Sequence, residues 1–174
     1  MTERFCPRCE LRTHADRCPS DGEVTLLETL DERLAWQLRP GDVVDERYRV
    51  DGAVARGGFG AVYVATHTGT GQRVALKLLA REGNESSDEL ARFDREAKLT
   101  AALQHPNTIR VFDVGETVAS VPCFAMEWLR GRTLQDVLKA LEVDRQALSE
   151  DVVAAIAADV LRSLAHAHEQ GGIH

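Results

Sequence analysis

The chain has 174 residues, 44% of them hydrophobic and 28% charged, with a formal charge of −7. That is a globular composition, long enough for one ordinary domain or for a small module plus part of a larger one. The acidic balance excludes a broad nucleic-acid footprint, which needs a basic surface, and no apolar run approaches the ~20 residues of a membrane span.

The first segment, residues 1–23, opens MTERFCPRCE and has no apolar stretch after its charges. A secretory signal is therefore not expected, and the expected location is the reducing cytoplasm. There, three cysteines within thirteen residues point to metal rather than to disulfides. CPRC and CPSD look like one knuckle written twice, Cys-Pro-x-ligand. The expected zinc ligands are Cys6, Cys9, Cys18 and Asp21, with His14 as the alternative fourth. Imidazole is chemically the better ligand, but His14 lies outside the repeat. So few residues cannot bury a core, and zinc would have to provide the fold.

Residues 24–47 read as a linker. Leu27, Leu30, Leu34 and Leu38 recur at helical spacing, which predicts a short amphipathic helix ended by Pro40-Gly41. From Tyr48 the texture changes to β-rich runs, YRVDGAVA, AVYVATH and RVALKLL, separated by glycine-bearing turns. A helix follows, opened by Ser86 and Glu89 in capping-box spacing. Next come strands at TIRVFDVG and VPCFAMEW, a short helix around TLQDVLKAL, and a long one from Ser149 to about Gln170. The long helix carries Val152, Val153, Ile156, Val160, Leu161 and Leu164 on one face. Trp36 and Trp128 read as packing residues, Cys123 as a buried strand residue, and His166 and His168 as ordinary helix positions.

Gly57, Gly58 and Gly60 form a turn between two strands. Glycines there let backbone N–H groups approach phosphate oxygens, although a plain hairpin uses them too. The turn leads into a strand, which disfavours both a dinucleotide-binding turn and a P-loop. In VALK, Lys77 shares a strand face with Ala75 and interrupts an apolar element, where a lysine is costly unless paired. Glu96, inside the apolar stripe of the following helix, is the matching carboxylate.

At this point residues 48–174 resemble the N-terminal half of a bacterial-type serine/threonine protein kinase. The matching pieces run in order: ARGGFGAVY, VALK, RFDREAKL, HPNTIRVFDVGE, FAMEWLRGRTL and LAHAHEQGGIH. The cysteine segment is similar to short zinc-ribbon-like leaders that precede some bacterial kinase domains. The resemblance implies an α+β fold, a kinase-like N-lobe of five antiparallel strands and one helix, followed by the first C-lobe helices. It implies that the Gly57, Gly58, Phe59 and Gly60 turn covers the phosphates of ATP, and that Lys77 holds the α- and β-phosphates while paired with Glu96. Val54, Val62 and Ala75 would line the adenine pocket, Met126 would guard its back, and the backbone of Glu127 and Leu129 would bond the base. One departure is Ala55, where the family has its first glycine. If that position needs positive φ, alanine costs about 1 kcal/mol there.

His174 falls at the histidine of the family's His-Arg-Asp catalytic loop. The proton-accepting aspartate and the magnesium ligands would lie further on, so the 174 residues are expected to bind ATP without transferring phosphate to a protein substrate. Self-association through the uncovered face of the long helix is also expected. The competing reading is a non-catalytic adaptor that binds a nucleotide or a partner.

Overall fold

The β-branched runs resolve into hydrogen-bonded strands in a computed structural model that describes residues 3–28, 30, 37–57, 60–79, 95, 101–117 and 120–170. Two short strands, β1 (Arg4–Phe5) and β2 (Arg12–Thr13), pair antiparallel in the cysteine segment. Six more form one antiparallel sheet: β3 (Val43–Val44), β4 (Tyr48–Gly57), β5 (Gly60–His67), β6 (Arg73–Leu79), β7 (Val111–Glu116) and β8 (Pro122–Glu127). Their order across the sheet is β3-β4-β5-β6-β8-β7. The expected α+β kinase-like architecture is present, with one correction: the sheet has six strands, because Val43–Val44 adds a short edge to β4.

Residues 29 and 31–36, within the expected linker helix, lie outside the described residues, and the described residues flanking them are not helical. Val24, Leu26 and Leu27 are extended bridge partners, of Arg17, Phe5 and Ala53 respectively, and do not open a helix. Leu27, Leu30 and Leu38 instead pack on the main core cluster, where Tyr63, Leu76, Leu78 and Val50 are buried. Trp36 and most of the intervening residues, 31–36, lie outside the described residues.

The chain divides into two units, Met1–Lys98 with Val111–Trp128, and Leu99–Arg110 with Leu129–His174. The first holds the cysteine module, the linker and the whole sheet. Its central strand β6 is buried along most of its length, whereas edge strand β7 alternates half-buried and exposed residues. Of the helix expected after β6, Arg95, Ala101 and Ala102 are helical, and the remainder lies outside the described residues except for Leu103 and Gln104, which are not helical.

The second unit contains α1 (Leu134–Val143) and α2 (Glu150–Glu169). Thr133 caps α1 in a reciprocal box with Asp136, and Ser149 caps α2 by accepting from the Val152 N–H. The His-Pro-Asn segment docks on α2: Asn107 Nδ2 donates to the Asp159 carbonyl at 3.1 Å, and Thr108 and Ser163 hydroxyls bond at 2.6 Å. His105 and His166 stack with centroids 5.5 Å apart, so His166 has a packing partner that its helix spacing alone does not indicate. Among the described residues no helix is long and apolar enough to cross a membrane.

Candidate nucleotide site and metal centre

Residues directly opposite one another in an antiparallel ladder share a face. Ala55 pairs with Val62, Val62 with Lys77, and Lys77 with Phe124, so four strands contribute to one row. In the next row Val64 pairs with Ala75 and Ala75 with Met126. Gly57 faces Gly60 at the mouth of the glycine turn, and Gly60 has φ 141°, a conformation open to glycine and strained for other residues. The sheet thus places the candidate phosphate turn, the lysine and the apolar residues Val62 and Ala75 on one surface. Val54 sits at a register shift between Ala53 and Ala55. Gly58, Phe59 and Glu96 lie outside the described residues, so the expected Lys77–Glu96 pair does too. Leu129 belongs to the second unit and is exposed.

Ala55 is extended, hydrogen-bonded in β4, and is not among the positive-φ residues. The anticipated backbone cost of alanine there does not arise. Phe124 was not singled out on sequence, yet its ring centroid lies 5.4 Å from Lys77 Nζ. A lysine over an aromatic face gains a cation–π attraction that helps to hold its orientation. The signal was available in the strand period, since Phe124 stands two residues before Met126. Glu127, at the end of β8, pairs with Val74. Trp128 Nε1 is buried with no hydrogen-bond partner among the described residues.

The cysteine module is built from two copies of one turn. In the first, the Glu10 N–H donates to the Cys6 carbonyl and the Cys6 N–H to the Leu11 carbonyl. In the second, the Gly22 N–H donates to Cys18 and the Cys18 N–H to Glu23. Glu10 and Gly22, at equivalent places, both have positive φ, 60° and 71°. The repeat therefore superimposes Cys6 on Cys18 and Cys9 on Asp21. Ligand atoms of Cys6, Cys9, Cys18 and Asp21 all lie within 4.8 Å of one another, and His14 is not in that group.

These distances suit a small tetrahedral ion. Cys9 and Cys18 Sγ are 3.5 Å apart and Cys6 Sγ is 3.4 Å from Asp21 Oδ2, against ~3.7 Å for the edge of a tetrahedron with thiolate bonds of about 2.3 Å. Backbone N–H groups of Arg8 and Cys9 point at Cys6 Sγ at 3.4 and 3.5 Å, outer contacts of the kind that orient a metal-ligating sulfur. The Glu23 N–H donates to Asp21 and holds its carboxyl below the usual range, keeping it anionic. Cys123 has different surroundings: burial, then the nearby carboxylates of Asp45 and Asp113, push its thiol up to about 12, so it stays protonated and inert.

Comparison with known proteins gives a consistent picture. The protein kinase domain family matches residues 48–174. The chain is 32% identical over 143 residues to the probable serine/threonine-protein kinase PknB of Bifidobacterium longum, covering 78% of this chain and 20% of that protein. It is 34% identical over 134 residues to the serine/threonine-protein kinase pkn3 of Myxococcus xanthus, covering 77% and 24%. The solved PknI kinase domain of Mycobacterium tuberculosis superimposes with a TM-score of 0.65 at 28% identity, covering 78% of this chain and 53% of that one. The chain thus spans about a fifth to a quarter of the length of these two curated relatives.

Proposed function

Because the chain belongs to the serine/threonine protein kinase family, matched over residues 48–174, we propose that it binds ATP on the sheet face beneath the glycine turn. The observation that carries this reading is the row Ala55–Val62–Lys77–Phe124 beside the row Val64–Ala75–Met126. Val54, Val62 and Ala75 meet the adenine, and backbone N–H groups of Gly57, Gly58 and Gly60 face the phosphates. Lys77 neutralises the α- and β-phosphates and is oriented by Phe124 and Glu96. Met126 closes the back of the pocket, with the backbone of Glu127 on the base edge.

The whole protein's reaction, in this proposal, is transfer of the ATP γ-phosphate to a serine or threonine hydroxyl of a protein substrate. That chemistry relies on positioning and charge neutralisation, with a catalytic-loop aspartate taking the hydroxyl proton and magnesium bridging the phosphates. The 174 residues contain neither His-Arg-Asp nor Asp-Phe-Gly, and we assign them the nucleotide clamp alone. The knuckle pair holds one structural zinc through Cys6, Cys9, Cys18 and Asp21.

Titrating ATP into isotope-labelled protein tests the placement. Amide signals of Ala55, Gly57, Val62, Ala75 and Met126 should move together. No movement, or movement confined to the cysteine module, would overturn it.

A further inference from the structure

The cysteine module is bonded into the strand that carries the glycine turn. Leu27 and Ala53 exchange both backbone hydrogen bonds, at 2.7 and 2.8 Å, which extends the edge of β4 beyond the end of β3. Leu26 is fully buried beside Gly52, where an added Cβ would come within 2.9 Å of Leu26 Cβ. Glu23, immediately after the second knuckle, reaches Arg73 on β6 at 3.9 Å.

Arg4 joins these pieces. Its side chain is 12% exposed and its Nη1 lies 3.6 Å from Asp16 Oδ1. Nε donates to Thr25 Oγ1 at 3.0 Å, and Nη2 donates to the carbonyls of Thr25 at 2.7 Å and Val54 at 3.1 Å. Thr25, itself wholly buried, donates a hydrogen bond from its hydroxyl to the Ala15 carbonyl. Val54 sits where the β4–β5 register shifts, the kind of place where a bulge leaves backbone groups outside the ladder. A charge-assisted bond from a largely buried guanidinium is a strong way to satisfy such a carbonyl. Three residues further on is Gly57, the start of the glycine turn.

Arg4 is two residues from Cys6, on the strand that leads into the first knuckle. Neither apolar core cluster includes a residue of the knuckles, so packing against those clusters does not hold that strand in place. We infer that the cysteine module is a clasp on β4, with Arg4 the positioning residue through which metal occupancy sets the order of the backbone entering the glycine turn. This rests on the zinc reading of the module, and by linkage it also makes zinc and nucleotide binding mutually reinforcing.

The test is hydrogen exchange on the full chain, zinc-loaded and chelated, with zinc content measured on the same samples. Removing zinc should speed exchange over residues 52–57 on the order of tenfold, as expected for losing one charge-assisted bond, while β8 is little changed. Arg4→Gln should do the same with zinc still bound, and Arg4→Lys, which keeps one charged donor, should restore part of the protection. Bound zinc with unchanged exchange at 52–57 in both arms overturns the clasp and leaves the zinc reading standing. Equal acceleration throughout the sheet also overturns it, because the module would then be a general stabiliser. Wild-type protein that takes up no zinc overturns both.

Discussion

At the scale of single residues, the ligand set is the sharpest statement. Cys9 and Asp21 occupy equivalent places in the two knuckles, and one carboxylate oxygen stands where the repeat would place a sulfur. Cys9→Ser replaces a sulfur ligand with a hydroxyl, which is a poor zinc ligand at neutral pH. Metal analysis should find zinc in the wild type and little in the variant after dialysis against a weak chelator; equal zinc in both would remove Cys9 from the site. This pattern was legible in the sequence because it is local, a spacing repeated within one short segment. Lys77 was legible for a similar reason, a charge at an apolar position of a strand. Phe124 beside it, and Arg4 far upstream, were not singled out, since each acquires its meaning from a neighbour on another strand. At Ala55 the penalty was conditional on a positive φ, and the backbone there is extended.

At the scale of elements, five strands were readable from β-branched runs and the turns between them, and the two helices of the second unit from periodicity and caps. The bridges that Val24, Leu26 and Leu27 make to other segments were not legible from the leucine spacing. The pairing of Leu27 with Ala53 is a long-range backbone contact, which leaves no local trace. Gly52 is the element-level consequence. Any side chain there would collide with Leu26, so Gly52→Val should lower stability by about 1–3 kcal/mol through overpacking. Urea unfolding followed by intrinsic fluorescence reads that loss, and a wild-type midpoint would mean that Leu26 does not pack on β4. Strand β6 needs no such close approach, because its neighbours on both sides are regular ladders.

At the scale of the whole molecule, the two units differ in how completely they bury their apolar residues. The sheet unit has a continuous core beneath β4, β5, β6 and β8. In the helical unit Ala167 is the buried residue of α2, while Val153, Val160 and Leu161 are more than half exposed, and α1 buries none. An amphipathic helix with its apolar face open lacks the packing that normally supplies most helical stability. The unit that carries the glycine turn and Lys77 is therefore the one whose own residues suffice to hold a site. The central claim is that this site takes ATP through Lys77, and calorimetric titration of ATP into zinc-loaded wild type and Lys77→Ala tests it most directly. Saturable binding by the wild type, weakened on the order of tenfold or more by loss of the charged hydrogen bonds to phosphate, is the predicted result. Equal affinity in the two proteins, or no binding by either, would contradict it.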